Sequence, residues 1–120
     1  MSETNQYDLE ERTAHFGEDI IRFCREIKLS PITESVVKQL VRSSTSIGAN
    51  YMEANGACSK SDFRNKIFIC KKETMETKHW LRMLSSAIPE KANELRTFWK
   101  EAQELTLIFS KIGNSSKNKN

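Results

Sequence analysis

Five cations of this chain recur at steps of four and seven residues: Lys60, Arg64, Lys71, Lys78 and Arg82. On a helix turning about 100° per residue, they project within about 40° of one another. A row of amines and guanidinium groups on one flank suits the phosphate oxygens of a nucleic acid. Binding of that kind draws its affinity from charge, depends weakly on base sequence and falls steeply with salt. Lys66 and Lys72 lie close enough in sequence to assist. The same row also reads as a solvated helix face whose members pair with carboxylates of an adjacent subunit.

Residues for catalysis are scarce. There are two histidines, His15 and His79, and one Glu-x-x-His pair, Glu76 and His79. A dinuclear carboxylate site in a helical bundle needs that pair twice, on facing helices, together with further carboxylates. We therefore expect neither a catalytic residue nor a metal or other cofactor. Cys24, Cys58 and Cys70 are odd in number and lack CxxC or Cys/His spacing, so we expect reduced thiols rather than a disulfide framework or a zinc site. Gly48 and Gly56 are too far apart to cradle a phosphate in a loop.

The basic row needs a helix to carry it. Phe63, Ile67, Cys70, Thr74, Thr77, Leu81, Leu84 and Ile88 alternate steps of four and three, and no Gly or Pro interrupts residues 60 to 88. A mean spacing of about 3.5 residues keeps one stripe facing a neighbouring helix along its length. The cations stand on one side of this seam. Ile69, Glu73, Glu76, Trp80, Met83 and Ala87 stand on the other, so one edge is basic and the opposite edge is acidic and apolar.

Three more segments repeat the pattern. Leu9, Thr13, Phe16, Ile20, Phe23 and Ile27 predict a helix over about 7 to 28, closed by Lys28, after a loose start at residues 1 to 6. Val37, Leu40, Ser44, Ile47, Tyr51 and Ala54 predict one over about 33 to 55, capped by Thr33 and stopped by a left-handed Gly56. Leu95, Phe98, Ala102, Leu105, Phe109 and Ile112 predict one over about 89 to 112, opened by Pro89 and ended at Gly113. Residues 114 to 120 read as a polar, disordered tail. Within the second helix, Ser43, Ser44, Thr45, Ser46, Gly48 and Ala49 are small and helix-poor. They suit close approach of another backbone, with hydroxyls bonding back to the preceding turn. Asn50 and Glu53 are expected to be partly buried, Glu53 with a partner among Lys66, Lys71 and Lys72. Ser59 or Ser61 would cap the third helix.

Four helices of similar length with short connections predict an all-α, up-and-down antiparallel four-helix bundle, one domain over residues 1 to 113. The length of 120 residues and the 29% charged and 38% hydrophobic content agree with a single folded domain. The formal charge of +3 is unevenly placed, since residues 1 to 59 carry 6 basic and 9 acidic groups while residues 60 to 120 carry 13 and 7. No stretch is apolar for long enough to cross a bilayer, and MSETNQYDLEERT lacks the features of a secretory signal, so a cytoplasmic location without membrane contact is expected.

Residues 39 to 84, from Gln39 to Leu84, resemble the bacterial four-helix-bundle family named after the 23S rRNA intervening-sequence protein. The resemblance rests on Gln39, Leu40, Arg42, Ser46, Ile47, Ala49, Asn50, Glu53, Ala54, Ser59, Lys60, Phe63, Glu73, Glu76 and Leu81. It implies a bundle that assembles into a ring, a homopentamer, with no catalytic residue. The chain is also similar in helix order to the accessory variability determinant of diversity-generating retroelements, which binds nucleic acid and a reverse transcriptase through basic surfaces. That likeness implies RNA or DNA and a protein such as a reverse transcriptase as partners.

Trp80, Met83, Trp99, Leu107 and Ile108 fall off the seams. A lone bundle would expose them together, and they are the expected subunit interface. An edge of each sign on one helix favours head-to-tail contacts, which close into rings. The sequence thus points to a non-enzymatic, ring-forming bundle that binds structured RNA or DNA by phosphate contacts. Few aromatic residues stand near the basic edge in sequence, which favours duplex or structured RNA over base stacking. The alternative is a protein-interaction adaptor without nucleic-acid binding.

Overall fold

A computed structural model of the chain describes residues 5–118. The expected loose start lies outside these residues at positions 1 to 4, as do positions 119 and 120 of the expected tail. Four helices follow one another: α1 Asn5–Arg25, α2 Pro31–Asn55, α3 Lys60–Ala87 and, after a 3-10 turn at Pro89–Lys91, α4 Ala92–Asn118. There is no strand among the described residues. The chain is an all-α four-helix bundle.

The seams meet in one core. Phe16, Ile20, Leu40, Ile47, Tyr51, Ile67, Leu81, Leu84, Leu95, Leu105 and Phe109 are buried, with Phe23, Val37, Phe63, Phe98 and Ile112 packed against them. Cys70 behaves as a small core residue, its thiol directed at the Ile47 carbonyl 3.6 Å away. Two buried hydroxyl pairs tie α3 to both neighbours. Thr77 donates to Ser43 of α2 at 2.9 Å, and Thr106 of α4 donates to Thr74 at 2.9 Å. α3 therefore lies between α2 and α4, while α1 packs mainly on α2 and meets α4 over a short stretch around Phe98.

The small stretch of α2 lets α1 approach. A Cβ added at Gly48 would stand 3.3 Å from Thr13 Oγ1, and one added at Gly17 would stand 3.6 Å from the Thr45 Cα. The hydroxyls are occupied within the helix: Ser43 bonds the Leu40 carbonyl, Ser44 and Thr45 that of Val41, and Ser46 that of Arg42. A stretch with weak intrinsic helix preference is thus held in place by its neighbours.

The ends depart from the sequence expectation for local reasons. α1 stops at Arg25 rather than Lys28, because Glu26 and Ile27 donate to the carbonyls of Phe23 and Cys24, three residues back, and tighten the last turn. α2 starts at Pro31, with Ser30 rather than Thr33 as its cap. The Ser30 hydroxyl accepts from the Thr33 N–H, and the Thr33 hydroxyl accepts from the Ser30 N–H at 2.7 Å. Ser59 caps α3 by accepting from Asp62 N–H. Gly56 has φ −97° and is not left-handed. α4 runs through Gly113, which lies 3.8 Å in Cβ terms from Ile67 Cγ2 in open packing. The expected disordered tail is helical as far as Asn118.

These contacts predict opposite outcomes at two glycines. Gly48→Leu drives α1 from α2 and destabilises the fold by about 1–3 kcal/mol. Gly113→Ala, with room for its methyl group, stabilises it by up to about 1 kcal/mol. Urea unfolding followed by circular dichroism measures both; a Gly48→Leu protein as stable as the parent would contradict the close approach.

Candidate nucleic-acid interface

The basic flank of α3 faces α4. Lys60 and Arg82 are exposed at its two ends, and Arg64, Lys71 and Lys78 are half-buried between them. The hydroxyl pairs set this orientation, since Thr74 and Thr77 stand on the seam beside the cations. Lys78 is the most constrained. Its amine donates to Gln103 of α4 and lies 5.1 Å from the ring centroid of Trp99, a cation–π distance.

α4 adds residues that the sequence reading missed. Between the two helices runs a groove of about 400 Å³, lined by Arg82 from α3 and by Arg96, Trp99 and Lys100 from α4, with Leu81 and Leu95 beneath. The signal was present as Arg96 and Lys100 four residues apart with Trp99 between them, but it becomes a site only once the register of α4 on α3 is known. Few aromatic residues are expected near the basic edge, and the structure adds one, Trp99, which reaches it from the facing helix.

The cations on this edge have, among the described residues, no carboxylate within ion-pair distance. Among the described residues, the ion pairs engage Arg12, His15, Arg22, Arg42, Lys66 and Lys91, none of them on the basic flank. Arg64 goes further. Its Nη1 is buried without a hydrogen-bond partner. A buried guanidinium N–H without an acceptor costs about 1–3 kcal/mol.

The opposite flank of α3 is neutralised. Arg42 of α2 reaches Glu73 at 3.4 Å and also bonds Glu76, which accepts from the Trp80 indole N–H as well. Burial raises the pKa of Glu76, but the bonds from Arg42 and Trp80 outweigh it and hold that carboxyl below its ordinary 4.5. Glu73 is buried. Glu53 is exposed and bonds Lys66 at 2.7 Å, and Asn50 bonds back to the Ser46 carbonyl.

The five off-seam apolar residues differ in burial. Trp80 and Met83 are half-buried on the α2 side of α3, with Trp80 against His79 at 4.8 Å and packed on the core. Trp99 lies on the α4 side, beside Lys78. Ile108 packs on the core, and Leu107 is 59% exposed. Counting large groups outside one stripe overstates exposure for α4, which has neighbours on two sides. Phe68 at 68% exposed and Met75 at 51% are the larger exposed apolar groups of α3, and the sequence reading did not single them out.

A second cleft, of about 580 Å³, opens between α1 and α4 and is lined by Glu11, Arg12, His15, Asp19 and Glu101 among others. Arg12 closes its floor, bonding Glu101 at 2.6 and 2.8 Å and Glu104 at 2.8 Å. These carboxylates hold the guanidinium pKa above its ordinary value, although its partial burial works the other way. His15 lies between Glu11 and Glu18. No group of three His, Cys, Asp or Glu side chains is placed to hold a metal among the described residues. Burial pushes the thiols of Cys24 and Cys70 up to about 11 and about 12, so both stay protonated and poorly nucleophilic at neutral pH.

A family model described as the 23S rRNA-intervening sequence protein matches residues 5–111. The chain belongs to that family. A similar solved structure is a protein of unknown function from the S23 ribosomal protein family of Bacteroides thetaiotaomicron. It is 29% identical over 88% of this chain and 97% of that one, with a TM-score of 0.78. No curated protein matches. The 23S rRNA-intervening sequence family thus accounts for nearly all of the four helices. No helix among the described residues is long and apolar enough to cross a membrane.

The Arg42–Glu76 pair gives a pH prediction. A carboxyl whose folded pKa is lowered contributes stability above its unfolded value of 4.5, and that contribution fades as the pH falls through the folded value. Urea midpoints of the parent and Glu76→Gln therefore differ at pH 7 and converge toward pH 3. A gap that stays constant with pH would remove Glu76 from the linkage.

Proposed function

We propose that this chain is a non-enzymatic, oligomeric bundle that binds structured RNA or DNA through the α3–α4 edge. The observation that carries this reading is the set of cations without carboxylate partners: Lys60, Arg64, Lys71 and Arg82 on α3, joined by Arg96 and Lys100 on α4. Lys78 contributes charge while bridging the helices. Phosphate oxygens would pair with these cations and relieve their mutual repulsion. The family's description refers to an rRNA element, which supports RNA as the polymer.

In this reading the molecule works in the cytoplasm as a ring of identical subunits, five by resemblance to the family. The acidic α1–α4 cleft with Glu11, Asp19 and Glu101 and the basic α3–α4 edge are unlike surfaces of one subunit. A head-to-tail contact would bring unlike charges together and leave part of the basic edge on the ring surface. We extend the reading to a protein partner such as a reverse transcriptase, as the sequence resemblance to the accessory variability determinant of retroelements implies. A pure adaptor is the second reading, favoured by the exposed Phe68, Met75 and Leu107.

Binding of a labelled stem-loop RNA, followed by fluorescence anisotropy, tests the proposal. With four or five phosphates neutralised, affinity falls about a hundredfold or more between about 50 and 200 mM salt. The Lys71→Glu, Arg82→Glu double variant removes most of it. Affinity unmoved by either salt or substitution favours the adaptor. Sedimentation of the same protein as a single-chain particle at micromolar concentration would discard the ring.

A further inference from the structure

The α3–α4 groove combines three things that a bare phosphate backbone does not use together. Its floor is apolar, built on the buried Leu81 and Leu95. Its wall is the Trp99 indole, 38% exposed. Its rim holds the guanidinium groups of Arg82 and Arg96 and the amine of Lys100, with no carboxylate among the lining residues. At about 400 Å³ it lies in the size range of small-ligand sites.

A stacked duplex presents phosphates outward and keeps its base faces covered, so it would meet the rim and leave the indole unused. A simple anion would also ignore the indole, and an apolar ligand would leave three cations without a partner. An unpaired nucleotide uses all three features, because its base has an open π-face and its flanking phosphates are anionic. Lys78, anchored by Gln103, stands over the ring at 5.1 Å from its centroid, and the base stacks on the remaining exposed surface of the indole.

We propose that this groove takes an unpaired nucleotide of the bound nucleic acid, its base against Trp99 and its flanking phosphates on Arg82, Arg96 and Lys100. This inference rests on the nucleic-acid reading above and adds a preference for a junction between paired and unpaired strand. Stem and overhang then divide the edge between them, the stem along Lys60, Arg64 and Lys71 and the overhang in the groove.

The test compares two RNA hairpins of the same stem, one blunt and one with a short 3′ adenosine overhang, and includes adenosine monophosphate alone. A Trp80→Phe protein leaves Trp99 as the single indole, and its emission is read alongside anisotropy of the labelled RNA. The overhang should quench the indole and bind about tenfold tighter than the blunt stem, and Trp99→Leu should abolish that advantage while leaving blunt-stem binding in place. Should Trp80→Phe not fold, Trp99→Leu in the parent chain gives the same affinity comparison. Equal binding of both hairpins with unchanged emission overturns the inference and leaves the proposed function standing. Absence of binding by either hairpin overturns both. Quenching by adenosine monophosphate as tight as by the overhang overturns the assignment to a polymer and makes the groove a free-nucleotide site.

Discussion

The rotation of α3 about its own axis is the constraint from which the other features follow. Ser43–Thr77 and Thr74–Thr106 are hydroxyl pairs inside a hydrophobic core, one on each side of the same helix. Apolar side chains tolerate a small rotation or slip, because dispersion has little direction. Buried hydroxyl pairs do not, since a lost partner leaves a polar atom in a dry environment. With α3 held in this way, its basic flank turns to α4 and its acidic flank to α2. The groove with Trp99 and the Arg42 pairs with Glu73 and Glu76 are two results of one orientation.

The bundle is unevenly closed. α2, α3 and α4 are joined along their lengths, whereas α1 is held by the close approach at Gly17 and Gly48, by edge-on rings at Phe98, and by the Arg12 clasp. The clasp has a particular role because it is a polar tie across the α1–α4 seam where packing is thin. A bidentate guanidinium–carboxylate pair fixes direction as well as distance. It also consumes Glu101 and Glu104, carboxylates of α4 that would otherwise be free to attract the cations on the far side of the same helix.

Much of this was legible in the sequence where a periodic rule applies. The seams of all four helices were readable because burial repeats every three or four residues, and the Thr74 and Thr77 positions stood out within the third seam. The small residues of α2 announced a close neighbour, although not which one. What could not be read depends on register between helices. Nothing in a linear chain says that Lys78 lies opposite Gln103 and Trp99, so the aromatic wall of the groove, and the place of Arg96 and Lys100 beside it, are not legible there. Helix ends failed for a different reason. The stop at Gly113 was argued from local propensity, worth about 1 kcal/mol, and continued packing against Ile67 outweighs that. At the start of α2, Thr33 is the cap expected from local sequence, whereas Pro31 is the first residue of the helix and Ser30 its cap.

Net charge is a poor guide to what this surface does. The formal +3 sums a half-chain in which anions are in excess and one in which cations are, and the fold does not mix them evenly. Carboxylates of all four helices are drawn into contacts with Arg12, Arg22, Arg42, Lys66 and Lys91, those of α3 being Glu73 and Glu76 on its opposite flank. The cations of the α3–α4 edge are left with each other. Crowding them costs folding free energy through repulsion, modest at physiological salt because the Debye length is about 8 Å. The simplest way for the chain to lower that cost would be a carboxylate on α4 facing α3, at the place of Lys100 or Arg96. A tryptophan and two cations stand there instead, an arrangement that leaves the repulsion along this edge uncompensated by α4.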